Sequence, residues 1–129
     1  MKNWVKEIEN LEGWTFGDNP QMADELAEQT ASGKNLANCF LFSNEYQQIK
    51  VGDRSYVKNS LGNPICVIEV TEVTIVPFEK VDESFAKAEG YATLKEWQSI
   101  HNEFFRRIHP KFNNKTVVVC QRFKLLHVF

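Results

Sequence analysis

Residues 59–77 read N-S-L-G-N-P-I-C-V-I-E-V-T-E-V-T-I-V-P, and the organisation of the chain turns on them. Residues 65–77 are rich in Val, Ile and Thr, whose branched side chains suit a pleated surface. Val67, Glu69 and Thr71 alternate with Ile68, Val70 and Glu72, the period of two that marks a strand. Gly62 and Asn63 supply turn chemistry in 59–64. They join the long strand to a shorter one at 55–58 as a hairpin. Val51-Gly52-Asp53 reads as the turn that precedes it.

Upstream of this hairpin, Trp4, Val5, Ile8 and Leu11 predict a short helix over 2–11, with Gly13 as its stop. Asn19-Pro20 predicts the start of a second helix, Asn19 as cap and Pro20 in the first turn. Gly17 and Asp18 order its approach. Met22, Ala23, Leu26, Ala27 and Thr30 form its apolar stripe, and Gly33 is its natural end. Residues 38–42 read as a strand and 47–50 as polar loop. Downstream, 81–89 reads as a short helix and 93–108 as a longer one. Thr93 followed by Glu96 is a capping box. Trp97, Ile100, Phe104 and Ile108 form the stripe of that helix, with His101 and Phe105 alongside, and His109-Pro110 closes it. Residues 116–120 and 123–129 are apolar runs, read as one strand kinked at Gln121-Arg122. Strands mixed with helices but lacking βαβ alternation predict an α+β domain built on a mainly antiparallel sheet or small barrel.

A chain of 129 residues suits one domain, 1–129, with 1–13 as a helical extension. Ten phenylalanines predict a core rich in rings. The first residues carry no signal-peptide pattern, and no apolar run reaches the ~20 residues of a bilayer span. Cys39, Cys66 and Cys120 are odd in number and lack C-x-x-C spacing, so neither a disulfide framework nor a zinc knuckle is read. Buried reduced thiols fit better and point to the cytoplasm. The three histidines have no metal-ligand spacing, and no cofactor motif is read.

Charge is unevenly distributed. The net value is only −2, yet residues 104–129 hold Arg106, Arg107, Lys111, Lys115, Arg122 and Lys124 and no acid. The rest holds nine basic and all seventeen acidic residues, a balance of −8. One reading is a basic surface for a polyanion. The other is a set of cations neutralised by acidic neighbours in space.

A series of short motifs adds a resemblance. It runs W-x-F-G-D-N-P from Trp14, A-S-G-K-N-L-A-N over 31–38 and V-G-D over 51–53. It continues with G-N-P-I-C-V-I-E-V-T-E-V over 62–73, V-P-F-E-K-V over 76–81, F-A-x-A-E-G over 85–90 and V-V-V-C-Q-R-F over 117–123. In this order the series resembles the ASCH family of the PUA-like superfamily, from Trp14 to the C-terminus. The resemblance implies a small β-barrel flanked by helices and a cleft beside the loop after the second helix. Relatives of this kind are linked to RNA binding, RNA cleavage and hydrolysis of acylated cytidine. The amidohydrolase members use the Lys and Thr of a G-x-K-x-x-T loop and a downstream Glu. Here Gly33 matches, but the Lys position falls on Asn35, the Thr position on Asn38 and the Glu position on Gly90 or Tyr91. An amide is neither a nucleophile nor a base near neutral pH. The amidase chemistry is therefore not carried over. A rearranged site would have to use Lys34 and Glu89 as its catalytic pair.

Read as a recognition site, the same segment is coherent. Asn35 and Asn38 offer the paired donors and acceptors that reading a base edge requires. Lys34 suits a phosphate, and Tyr91 or Trp14 suits stacking on a base. Read as local structure, the asparagines cap backbone groups in a turn. Glu69 faces either water or a barrel mouth, and Arg122 pairs across the sheet with Glu69 or Glu72. The expected partner is RNA or a nucleotide-like small molecule. His101 is expected to be a hydrogen-bonded packing residue and His109 a helix-end cap.

Overall fold

The computed structural model describes residues 2–17, 19–43 and 49–129. Asp18 and the 47–48 part of the expected 47–50 loop lie outside them. Helix α1 (Trp4–Glu7) passes into a 3-10 turn (Ile8–Asn10), followed by strand β1 (Glu12–Thr15) and helix α2 (Pro20–Ala31). Strands β2 (Ala37–Leu41), β3 (Arg54–Lys58) and β4 (Pro64–Pro77) come next, then a 3-10 turn (Phe78–Lys80). Helices α3 (Glu83–Ala88) and α4 (Leu94–Ile108) precede β5 (Val117–Val128).

The five strands form one sheet in the order β1-β3-β4-β5-β2. All pairings are antiparallel except β1 with β3. The sheet curls into an open half-barrel rather than closing, with β1 and β2 at its two edges. The expected α+β class holds. The β3–β4 hairpin turns on Asn59, whose side-chain oxygen accepts from the backbone N–H of Leu61 and Asn63. β5 is one continuous strand. Its pairing with β4 slips where Leu126 and Thr71 each stand as an extra residue, between Val67/Ile68 and between Val70/Glu72.

Helix signals translate directly. The Asn19 side chain accepts from Met22 N–H, and that of Thr93 from Glu96 N–H. Gly33 takes a positive φ of 80° two residues past the end of α2. One element departs from expectation. Gly13 does not stop a helix; it lies in β1, opposite Tyr56 of β3. A Cβ there would stand 2.4 Å from Tyr56 Cζ, so glycine lets the tyrosine ring cross the strand.

Two cores sit on opposite sides of the sheet. One gathers Ala37, Val118 and Cys120 from the strands with Phe78, Phe85, Trp97, Phe105 and Phe112. Phe78 stacks on Trp97 at 5.3 Å and meets Phe112 edge-on at 5.0 Å, pairs worth about 0.5–1.5 kcal/mol each beyond area burial. The other gathers Phe16, Val57, Cys66, Ile68 and Phe123 under α2, which contributes Ala27. Among the described residues, no helix is long and apolar enough to cross a membrane.

Candidate functional site

Strand alternation decides where the candidate residues face. Ala37, Cys39 and Leu41 of β2 belong to the α3/α4 core. Asn38, between them, therefore points to the other side. Its register partner on β5 is Gln121, whose own partner on β4 is Val73. Directly opposed residues share a side, so the Asn38 and Gln121 amides stand in one row. Phe123, two residues along β5, continues that side into the second core, where Trp14 meets it edge-on at 6.4 Å and Phe16 at 4.7 Å. Trp14 is half-buried, with its indole N–H donated to Ser55 Oγ at 2.9 Å. Gln121 is 8% exposed. Among the described residues, Asn38 Oδ1 is the buried side-chain polar atom that meets no hydrogen-bond partner. A buried acceptor left open costs about 1–3 kcal/mol unless something donates to it.

The remaining candidates lie elsewhere. Asn35, 3% exposed, is held in the turn after α2: its N–H reaches Gln29 O at 3.2 Å, and its Oδ1 faces Ala37 N–H at 3.5 Å. That is the turn-capping reading of this residue. Lys34 lines a hollow of about 290 Å³ together with Glu25, Glu28, Gln29 and Ser32, an acidic surrounding for a phosphate. Tyr91 packs on the α3/α4 core. Burial, then the charges of Glu89 and Glu96, push its hydroxyl up to about 12. Asn35, Asn38 and Tyr91 thus do not gather around one hollow, because alternation puts Asn38 and Tyr91 on opposite sides of β2.

Glu89 and Lys34 are likewise not assembled as a pair. The Glu89 carboxylate, 8% exposed, accepts from the Trp97 indole N–H and faces His101 Nε2 at 3.3 Å. His101 stacks on Trp97 at 4.2 Å, and its Nδ1 sits 2.9 Å from Trp97 O. A carbonyl can only accept, so Nδ1 carries a hydrogen. Nε2 and the Glu89 carboxylate face each other inside this contact. This is a closed set of buried polar contacts, and it gives His101 its expected packing role. The i,i+4 spacing of Trp97 and His101 was legible in the sequence; the contribution of Glu89 from another element was not.

The basic residues of 104–129 divide between α4, the loop after it and β5. Lys115 pairs with Glu79 at 2.9 Å, Arg122 with Glu72 at 3.8 Å and Lys124 with Glu69 at 3.3 Å. Glu69 also accepts from Arg54 at 2.9 Å, and hydrogen bonds from Arg54 and Lys124 hold its carboxyl below the usual range. Arg122 donates to Ser84 Oγ at 3.0 Å. Glu69 and Arg122 therefore serve cross-strand pairing. Of the two readings of the charge asymmetry, neutralisation by acidic neighbours accounts for these three cations. Among the described residues, no group of three His, Cys, Asp or Glu is placed to hold a metal.

A curled five-stranded sheet flanked by helices in this order defines a PUA-like α+β domain. The ASCH domain profile matches residues 12–127, and the chain belongs to the ASCH domain family. It is similar to the ASCH domain of Lactobacillus crispatus, at 28% identity and a TM-score of 0.81 over 97% of this chain and 86% of that one. It is also similar to a protein from Enterococcus faecalis, at 29% identity and a TM-score of 0.83 over 98% and 91%. An ASCH protein from Zymomonas mobilis shares the fold alone, at 8% identity and a TM-score of 0.56 over 92% and 73%. No curated protein matches the chain.

Proposed function

We propose that this domain binds a nucleobase-bearing ligand, a nucleoside or single-stranded RNA, through the Asn38–Gln121 row. The open acceptor at Asn38 Oδ1 carries this reading. Oδ1 is buried in the free chain, so binding requires the Asn38 side chain to turn outward; an amino group on a base edge then supplies the missing donor, and the Asn38 and Gln121 amides supply the complementary set. Trp14, half-buried and edge-on to the buried Phe123, offers ring surface next to that row. Arg122 and Lys124, the two cations of β5, are already paired with Glu72 and Glu69. That favours recognition of single nucleotides over long duplexes.

The test is titration of the chain with cytidine, adenosine and short single-stranded RNA across a salt series. The expected result is saturable binding with a shallow salt dependence, since few phosphates are contacted. Asn38→Ala weakens it about tenfold, which corresponds to about 1.4 kcal/mol. Absence of binding to every probe at low salt overturns the reading. Turnover of an acylated cytidine by the unaltered chain replaces it with a hydrolase.

A further inference from the structure

We propose that Cys39 and Cys120 form an intramolecular disulfide when a small hydroperoxide reaches them, fastening edge strand β2 to β5. The two residues are register partners in the antiparallel β2–β5 ladder. Opposed residues in such a ladder have Cα atoms about 4.5 or about 5.5 Å apart. Both separations lie within the range of about 4.4–6.8 Å that a disulfide spans. The Cys120 thiol already points at Cys39, with the sulfurs 3.9 Å apart. Side-chain rotation within an existing backbone frame can bring them to bonding distance, with no strand having to move to a new register.

Chemistry and access fix the order of events. Cys39 is partly exposed, whereas Cys120 is buried. The Cys39 sulfur attacks the peroxide oxygen, giving a sulfenic acid and releasing water. The Cys120 sulfur then attacks Cys39, forming the S–S bond and expelling a second water. Two thiols and one hydrogen peroxide thus yield one disulfide and two waters. Burial first, then the contact with Cys120 and the charge of Glu89, push the Cys39 thiol well up. The thiolate is the reacting species, so the reaction quickens as pH rises above neutrality. Cys66 is an internal control. It is fully buried in the other core, on β4 opposite Val57 and Val128, and burial pushes its thiol up to about 11.

The experiment treats the reduced full-length chain with hydrogen peroxide, quenches it, unfolds it and counts alkylatable thiols by mass spectrometry. The expected count falls from three to one, the intact chain loses two hydrogens, and a single cross-linked peptide joins Cys39 to Cys120. Cys66→Ser gives the same link. Cys120→Ser stops at a Cys39 sulfenic acid that dimedone traps. The proposal is overturned if all three thiols persist at peroxide levels that consume free cysteine. It is equally overturned if the link includes Cys66 or joins two chains, or if Cys39 over-oxidises while Cys120 stays reduced.

Discussion

Glu89 and Asn38 are both polar groups in the interior, on opposite sides of β2, and they differ in what surrounds them. Glu89 meets Trp97 and His101 and is enclosed by the ring-rich α3/α4 core. Asn38 shares its side with Gln121 and leaves Oδ1 open. A closed polar group is architecture, because every partner it needs is already in the chain. An open one costs stability in the free protein, and that cost becomes intelligible if a ligand supplies the partner.

Trp97 holds the closed side together. Trp97→Ala removes a fully buried ring and the donor to Glu89, and the expected loss is about 3–5 kcal/mol in urea unfolding. A loss below about 1 kcal/mol shows that the α3/α4 core repacks and that Glu89 finds other partners. Glu89→Gln is the finer cut. It keeps the shape and an oxygen for the Trp97 indole N–H but removes the carboxylate that faces His101, and should cost about 1–3 kcal/mol.

Gly90→Ala tests the seam between the turn after α3 and the loop after α2. Gly90 has φ 92°, and an added Cβ would stand 3.0 Å from the Lys34 backbone oxygen. The expected cost is about 1–2 kcal/mol, with loss of exchange protection at Leu36 N–H, which is bonded to Ala88 O at 2.9 Å. Protection unchanged at Leu36 rules out the seam. On the other side of the sheet, Asn38→Val should leave stability unchanged or raise it by up to about 1 kcal/mol, because it removes the open oxygen and suits a strand. If it costs as much as Glu89→Gln, the two sides do not differ.

Tyr91 is held neutral by burial, its hydroxyl raised from 10.0 to about 12. The unfolded chain releases that proton first, so this contribution is complete below pH 10 and fades as pH rises toward about 12. Comparing Tyr91→Phe with the unaltered chain across that window measures it. Parallel loss in both assigns the alkaline unfolding to other groups.

Much of the frame was legible in sequence because its signals are local. Asn19-Pro20 and Thr93 announce helix starts through side chains three residues from the N–H groups they bind, and Asn59 to Asn63 close a hairpin within one turn. β1 was not legible. Glu-Gly-Trp-Thr is too short to alternate, and its parallel partner β3 lies far along the chain. The site divides in the same way. Asn38 was singled out on its residue type and position in a motif. That Tyr91 faces away from it depends on which side α4 covers. Gln121 read only as a polar interruption, since its pairing with Asn38 is a matter of register. The two readings of 104–129 could not be separated in the sequence because the carboxylate partners of Lys115, Arg122 and Lys124 come from earlier elements.

The order of the strands also bears on how the chain finds its shape. Only β3 and β4 meet through a short turn. The longest ladder pairs Pro77 with Val117 and Cys66 with Val128, and β1 waits for Ser55 and its neighbours. Large loops must close before those contacts give anything back. Assembly should therefore be governed by the arrival of β5, in the slower range of small domains, with the β3–β4 hairpin exposing an unpaired edge until then.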